Sequence, residues 1–89
     1  MDVREWVAEY NEEALMADGL EDAILGVCSR IGMNTVVAYD RAKCIEVLMA
    51  QEDWDFDEAE EFFSFNTERA WVGDNTPVFV ALYKDRLEV

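Results

Sequence analysis

The side chains best able to do chemistry are concentrated in one acidic segment, residues 52–61. This segment holds seven carboxylates and no base, around a single tryptophan. Such a density of negative charge suits the binding of a basic protein surface. A merely solvated acidic face is the alternative interpretation. The candidate partner-binding residues are Glu52, Asp53, Trp54, Asp55, Asp57, Glu58, Glu60 and Glu61.

Part of the same segment resembles the opening of a calcium-binding loop. Asp53, Asp55 and Asp57 reproduce the D-x-D-x-D spacing of an EF-hand. The sixth position, however, is Glu58 where the loop needs glycine, and the twelfth is Ser64 where it needs glutamate. The sequence therefore predicts no dedicated metal site and no cofactor, and calcium binding is kept only as a third hypothesis.

Catalytic groups are scarce in this chain. Histidine, the most frequent general base, is absent. No Ser/His/Asp set, P-loop or G-x-G-x-x-G motif occurs. Cys44 lies near the start of a predicted helix, where the dipole would lower a thiol pKa, but it has no histidine partner. The sequence predicts a protein that is not an enzyme.

Composition narrows the setting in which the protein works. The chain of 89 residues is long enough for a single domain, residues 1–89, with a net charge of -14. This charge repels nucleic acid and anionic membranes and attracts basic proteins, including those that bind nucleic acid. Cys28 and Cys44 are expected to be buried thiols in a reducing cytoplasm, with one disulfide as the alternative. A cytoplasmic location also fits the absence of a signal peptide and of a run of about 18 apolar residues.

The elements that position the acidic segment follow from hydrophobic periodicity and capping residues. Helices are predicted over 2–16, over 41–51 after an Asp40 cap, and over 56–68 after an Asp55 capping box. The third helix is expected to bury Phe56, Ala59, Phe62, Phe63 and Asn66.

Strands account for the remaining apolar runs. Residues 21–31 fit either a helix or a strand, and the strand is preferred because residues 35–39 are β-branched and a turn at 32–34 would join the two as a hairpin. A last strand is predicted over 77–83, followed by a frayed tail over 84–89. The predicted fold class is α/β, of the α+β kind, in the order α-β-β-α-α-β. Its small three-stranded sheet is expected to be mostly antiparallel and covered by the helices.

The three tryptophans are predicted to lie in different environments. Trp6 lies on the apolar stripe of the first helix and is predicted to be in the core, and Trp71 is predicted to pack under the loop that follows the third helix. Trp54 is read either as a hydrophobic staple or as an exposed anchor among acids.

Three stretches together resemble a known group of proteins. They are residues 18–26 (DGLEDAILG), residues 38–49 around Ala38-Tyr39-Asp40 and Lys43–Met49, and residues 59–79 with AEEFFSFN, AWVG and TPVF. In this order they resemble a family of short acidic proteins encoded by tailed bacteriophages and their prophages. The resemblance implies no catalytic residues. It implies a setting in which small acidic proteins inhibit host machinery, as anti-CRISPR and anti-restriction proteins do when they present carboxylates in place of phosphates.

Three hypotheses follow. The leading one is a phage-type accessory protein that docks on a basic surface of a host or defence protein, as an inhibitor or DNA mimic. The alternative is a structural or self-associating virion or scaffold component, and the third is a calcium-binding protein.

Overall fold

The computed structural model describes residues 1–85, which form three helices and a three-stranded sheet. The predicted α+β class and the order of its elements are confirmed. The elements are α1 (Val3–Tyr10), β1 (Ile24–Cys28), β2 (Val36–Asp40), α2 (Arg41–Glu52), α3 (Phe56–Phe63) and β3 (Val78–Val80). A π turn, Ser64–Glu68, extends α3, and 3₁₀ turns occupy Glu21–Ala23 and Tyr83–Asp85.

The sheet is mixed, with β2 in its centre. β1 pairs antiparallel with β2, which confirms the hairpin and the preference for a strand within residues 21–31. The strand itself covers only Ile24–Cys28, and Glu21–Ala23 form a 3₁₀ turn instead. β3 pairs parallel with β2, Tyr39 lying opposite Phe79, so the expectation of a mostly antiparallel sheet is wrong for one of its two pairs. The reason is the connection: α2 and α3 form a helical crossover, which is long enough to bring the chain back in the same direction.

The first helix is shorter than its apolar spacing predicts. Asp2 caps it as expected, accepting a hydrogen bond from the Glu5 backbone at 2.9 Å, but the helix ends at Tyr10. Asn11 donates through Nδ2 to the Thr35 carbonyl at 2.8 Å and to Asn75 Oδ1 at 2.9 Å. These hydrogen bonds hold Asn11 against Thr35, the residue before β2, so the chain turns at Asn11 and the helix does not continue.

The core lies between the central strand and the helices. Tyr39 and Phe63 are fully buried, and Phe79 packs against both rings, with centroids 5.4 Å and 5.1 Å away. The Tyr39 hydroxyl accepts a hydrogen bond of 2.7 Å from the backbone N–H of Ala17. The buried core residues are Val7, Leu20, Ala23, Val37, Tyr39, Cys44, Ile45, Leu48, Ala59 and Phe63.

Several burial predictions need correction. Trp6 packs against the core, as expected. The prediction that Trp71 packs under the loop is wrong, because its side chain is 70% exposed. The Thr76 hydroxyl closes that loop instead: it accepts from the Val72 N–H and donates to the Gly73 carbonyl.

The last strand stops at Val80, and of the predicted tail only Lys84 and Asp85 are described, in a 3₁₀ turn; residues 86–89 lie outside the described residues.

The third helix buries a narrower stripe than predicted. Ala59 and Phe63 are buried, but Phe56 is 55% exposed, Phe62 is 41% exposed and Asn66 is also exposed. A short helix against one neighbouring helix and a three-stranded sheet can cover only one row of side chains, so the flanking aromatic rings stay at the surface.

Candidate acidic and aromatic binding face

The acidic segment forms the corner between two antiparallel helices. Arg41, at the start of α2, binds Glu60 within α3 and Glu68 in the π turn that extends it, so the end of α2 lies beside the start of α3. Asp53 takes a left-handed conformation at φ 57°, and its backbone N–H donates to the Met49 carbonyl to end α2. The chain therefore reverses within three residues and brings Glu52 close to the first turn of α3.

Capping holds the start of α3 in place. The Asp55 carboxylate accepts from the Glu58 backbone N–H at 2.9 Å, and Glu58 Oε1 accepts from the Asp55 N–H at 3.2 Å. This reciprocal arrangement is the predicted capping box. It explains two of the seven carboxylates structurally, but both side chains remain exposed to solvent.

Most of the predicted binding residues share this exposed corner. Trp54 and Glu60 are half-buried. Among residues 1–85, Glu60 is also the single carboxylate of the segment with an ion pair, to Arg41 at 3.3 Å. Six carboxylates are exposed and have no ion pair within the described chain: Glu52, Asp53, Asp55, Asp57, Glu58 and Glu61.

Glu60 is thus set apart from the rest of the predicted site. Its partner Arg41 also donates to Glu68 through Nε at 2.8 Å and Nη2 at 3.0 Å, and to the Ser64 hydroxyl at 3.2 Å. The hydrogen bonds that Arg41 donates to the Glu68 carboxylate, and then to Glu60, raise the pKa of Arg41 above its ordinary value. Glu60 and Glu68 therefore serve to hold α3 against α2.

A further acidic turn extends the same corner. Gln51 Nε2 donates to the Gly19 carbonyl at 3.0 Å, which places the turn holding Asp18, Glu21 and Asp22 against the last turn of α2. Arg4 lies 3.7 Å from Asp18 and 3.6 Å from Glu21, so part of that charge is balanced.

Residues 1–27 form a second acidic stretch, with eight acids and one base, and only part of it reaches the α2–α3 corner. Asp18, Glu21 and Asp22 reach the α2–α3 corner. Glu9 belongs to α1, which packs against β1 instead. Glu12 follows Asn11, which binds Thr35 and Asn75.

An aromatic pocket opens on the outer side of α3. It has a volume of about 420 Å³ and is lined by Trp54, Glu58, Glu61, Phe62, Phe65 and Asn66. The Trp54 and Phe62 rings contact each other with centroids 5.1 Å apart. Trp54 is half-buried and also packs against the core, as the core or staple interpretation predicts. Its role as an anchor for a partner stays a prediction.

An apolar cleft adjoins this pocket and shares Phe62 and Asn66 with it. The cleft has a volume of about 410 Å³ and extends between α2, the residues before Leu20 and the start of β3. Beside it Trp71 is 70% exposed and Val72 is 62% exposed. Adjoining apolar clefts and exposed rings of this kind mark interaction surfaces.

The sequence prediction missed Phe62, Phe65 and Asn66 as site residues. Their spacing from Glu58 and Glu61 was the available signal, because positions 58, 61, 62, 65 and 66 recur on one helical face. That face lies beside the buried stripe of Ala59 and Phe63 rather than on it.

The calcium hypothesis gains no support from the geometry. In the described part of the chain, no group of three or more metal-ligating side chains is placed to hold a metal ion. Asp55 is engaged in the α3 cap, and Asp53 ends α2, so the two belong to different helix termini.

Neither cysteine forms a disulfide. Cys44 is buried as expected. The expectation of a buried Cys28 is wrong, because this residue is exposed at the end of β1, which is an edge strand of the sheet. Burial raises the pKa of the Cys44 thiol to about 12. The lowering expected from the helix start is therefore wrong, and the thiol stays protonated and unreactive near neutral pH.

Comparisons with known proteins return no relative. Within residues 1–85, no helix has the length and apolar character required to cross a membrane. No family model, curated protein or solved structure matches this chain.

Proposed function

We propose that this chain is a binding module of the phage-accessory type, and that its α2–α3 corner docks on a basic surface of another protein. The observation that carries the proposal is the group of six exposed carboxylates without ion pairs beside a pocket lined by aromatic rings. Solubility requires carboxylates at the surface but does not require them beside exposed aromatic rings. Protein interfaces do combine aromatic anchors with a charged rim.

The class of partner follows from the charge. A protein that binds nucleic acid presents lysine and arginine side chains to phosphates, and these groups would meet carboxylates equally well. The proposed action is inhibition: the chain occupies the surface that the partner uses for nucleic acid, as a DNA mimic in the cytoplasm of a bacterial host.

Charge and aromatic surface would contribute differently to the complex. An exposed pair of opposite charges contributes only about 0.2–1 kcal/mol, so the carboxylates would mainly speed association and exclude wrong partners. Residence time would depend on the rings of Trp54, Phe62 and Phe65, because buried aromatic anchors dominate interface energetics.

The test compares two variants of equal net charge. Glu52→Lys with Asp57→Lys alters the α2–α3 corner, and Glu9→Lys with Glu12→Lys makes the same change in charge on the α1 segment. Each immobilised protein is used to capture proteins from a bacterial lysate at about 0.1 M salt, and the bound fraction is challenged with duplex DNA and with about 1 M salt, where the Debye length falls to about 3 Å.

We expect the wild type and the α1 variant to retain basic nucleic-acid-binding proteins that both DNA and salt release. The corner variant should lose them. Capture that survives in the corner variant, or that is indifferent to DNA and salt, would contradict the proposal.

Self-association is the second candidate, because the β1–β2 turn exposes apolar side chains. Ile31 is 98% exposed and Met33 is 61% exposed, next to the exposed Arg30. A second copy would bring another net charge of -14, which opposes assembly most strongly at low salt. Light scattering of the purified chain at low and high salt decides it: a stable oligomer favours a structural role, and a monomer favours the binding module.

A further inference from the structure

We infer that the pocket between Trp54, Phe62 and Phe65 binds an arginine or lysine side chain of a partner protein, with an apolar neighbouring residue entering the adjoining cleft. This rests on the proposed function and adds to it the chemistry of the group that is recognised. The pocket joins three aromatic rings to two carboxylates, a combination that neither solubility nor capping requires.

The aromatic part of the pocket is suited to a cation. A positive charge over an aromatic face is attracted by the negative face of the ring. This chain already makes such a contact at the pocket edge, where the Arg69 guanidinium carbon lies 4.8 Å from the centroid of the Phe65 ring. Phe65 is 62% exposed with Arg69 in place, so this contact covers only part of the residue, although the charge of Arg69 offsets some of the attraction for a second cation.

The carboxylates make the same selection by charge. Glu61 is exposed and has no ion pair among residues 1–85, and Glu58 uses Oε1 in the α3 cap, which leaves Oε2 without a bond in that part of the chain. One cation between them would meet opposite charge on its rim and ring faces on its walls. A neutral or acidic side chain would gain neither interaction.

The position of the apolar cleft determines which residue of the partner should lie next to the recognised cation. Phe62 and Asn66 line both cavities, so an occupant of the pocket lies within a residue or two of the cleft. Asn66 donates through Nδ2 to the Phe62 carbonyl at 3.1 Å, which holds this shared wall in place. The recognised segment is therefore a basic residue close to an apolar one.

A second copy of this chain fits the charge less well. Its β1–β2 turn also offers a basic residue, Arg30, beside the apolar Ile31. Bringing it to the pocket would, however, place two chains of net charge -14 in contact, whereas a basic partner gains from the same field. We therefore assign the pocket to a basic partner, and self-occupancy becomes one outcome of the test.

The probe is a pair of capped peptides of sequence Gly-Leu-Gly-Arg-Gly, one with arginine and one with citrulline, which has nearly the same shape and no charge. Binding is followed by NMR through the indole N–H signals of the three tryptophans, assigned with single Trp→Phe variants. We expect the arginine peptide to shift the Trp54 signal and to bind about two- to fivefold more tightly than the citrulline peptide, since one exposed cation–π contact contributes about 0.5–1 kcal/mol.

Variants on the helix supply the controls. Phe65→Leu keeps an apolar side chain but removes the ring, and Glu61→Gln keeps the shape but removes the charge. Each should weaken the arginine peptide about two- to fivefold. Phe56→Leu, at an exposed ring on the same helix outside the pocket, should change nothing.

Three results would overturn the inference. One is equal binding of the two peptides, and another is an affinity unchanged by Phe65→Leu. The third is a Trp54 signal that shifts with protein concentration alone and stops doing so in Arg30→Gln, which would assign the pocket to a second copy. If lysate capture still depends on Glu52 and Asp57 while Phe65→Leu leaves it intact, the pocket assignment fails and the proposed function stands.

Discussion

The ion pair between Arg41 and Glu68 should contribute measurably to folding, because it fastens the end of α3 to the start of α2. The guanidinium reaches both carboxylate oxygens of Glu68, at 2.8 and 3.0 Å, and its carbon lies 5.5 Å from the centroid of the Phe63 ring. The side chains of Arg41 and Glu68 are only 25% and 32% exposed. The perturbation is Arg41→Met, which keeps the aliphatic length and removes the charge.

The magnitude lies between two known limits. Exposed ion pairs contribute about 0.2–1 kcal/mol, and breaking a buried pair costs about 3–5 kcal/mol. Because this ion pair is bidentate and only partly exposed, we expect Arg41→Met to lower the free energy of unfolding by about 1.5 kcal/mol. In a domain of this size that corresponds to a fall in Tm of roughly 6–12 °C.

The assay is a double-mutant cycle with Glu68→Gln, read by urea unfolding. The coupling energy between the two positions should be about 1 kcal/mol and should shrink at high salt. Lys43→Met is the matched control, because Lys43 pairs with Glu46 at 3.4 Å on an exposed surface and should cost under about 0.5 kcal/mol. A coupling energy near zero, or a Lys43→Met variant as damaging as Arg41→Met, would refute the reasoning.

Three further outcomes are expected from urea unfolding. Because burial raises the pKa of the Cys44 thiol from 9.0 to about 12, the unfolded chain loses that proton first, so stability should fall as pH rises above 9. Cys44→Ala should remove up to about 1.4 kcal/mol per pH unit of this fall, whereas the exposed Cys28→Ala should leave it in place. Tyr39→Phe should cost about 1–2 kcal/mol, since it leaves the part-buried Ala17 N–H without its acceptor; no loss would show that this hydrogen bond does not contribute to stability. Asp55→Ala should cost about 1 kcal/mol and Asp55→Asn only tenths, and equal losses would argue against the cap.

Local signals in the sequence were sufficient for most elements. Asp40 and Asp55 cap their helices as predicted. Each precedes a run of helix formers, where its carboxylate can accept a hydrogen bond from a free backbone N–H of the first turn. The preference for a strand within residues 21–31 is confirmed for Ile24–Cys28, because a second β-rich run was available to pair with it.

Long-range contacts account for what could not be predicted. Helix α1 ends early because Asn11 binds Thr35 and Asn75, residues far along the chain. The parallel pairing of β3 depends on how α2 and α3 return the chain, which periodicity does not reveal.

The candidate site was predicted from charge and from Trp54, and the structure places the rings of Phe62 and Phe65 beside it. Apolar spacing placed Phe62 inside, but whether a ring at the border of a helical stripe is covered depends on the width of the neighbouring elements. Glu60 is not among the carboxylates without an ion pair because it pairs with Arg41, which lies 19 residues earlier in the chain. Local sequence does not reveal such a partner.

The most direct test of the docking face is the salt dependence of affinity for a protein captured from the lysate. We expect log affinity to fall steeply and linearly with log salt for the wild type and for Glu9→Lys/Glu12→Lys alike. For Glu52→Lys/Asp57→Lys the affinity should be lower and the slope close to zero or reversed. Equal slopes for the two variants would show that only net charge matters, and would contradict a docking face at the α2–α3 corner.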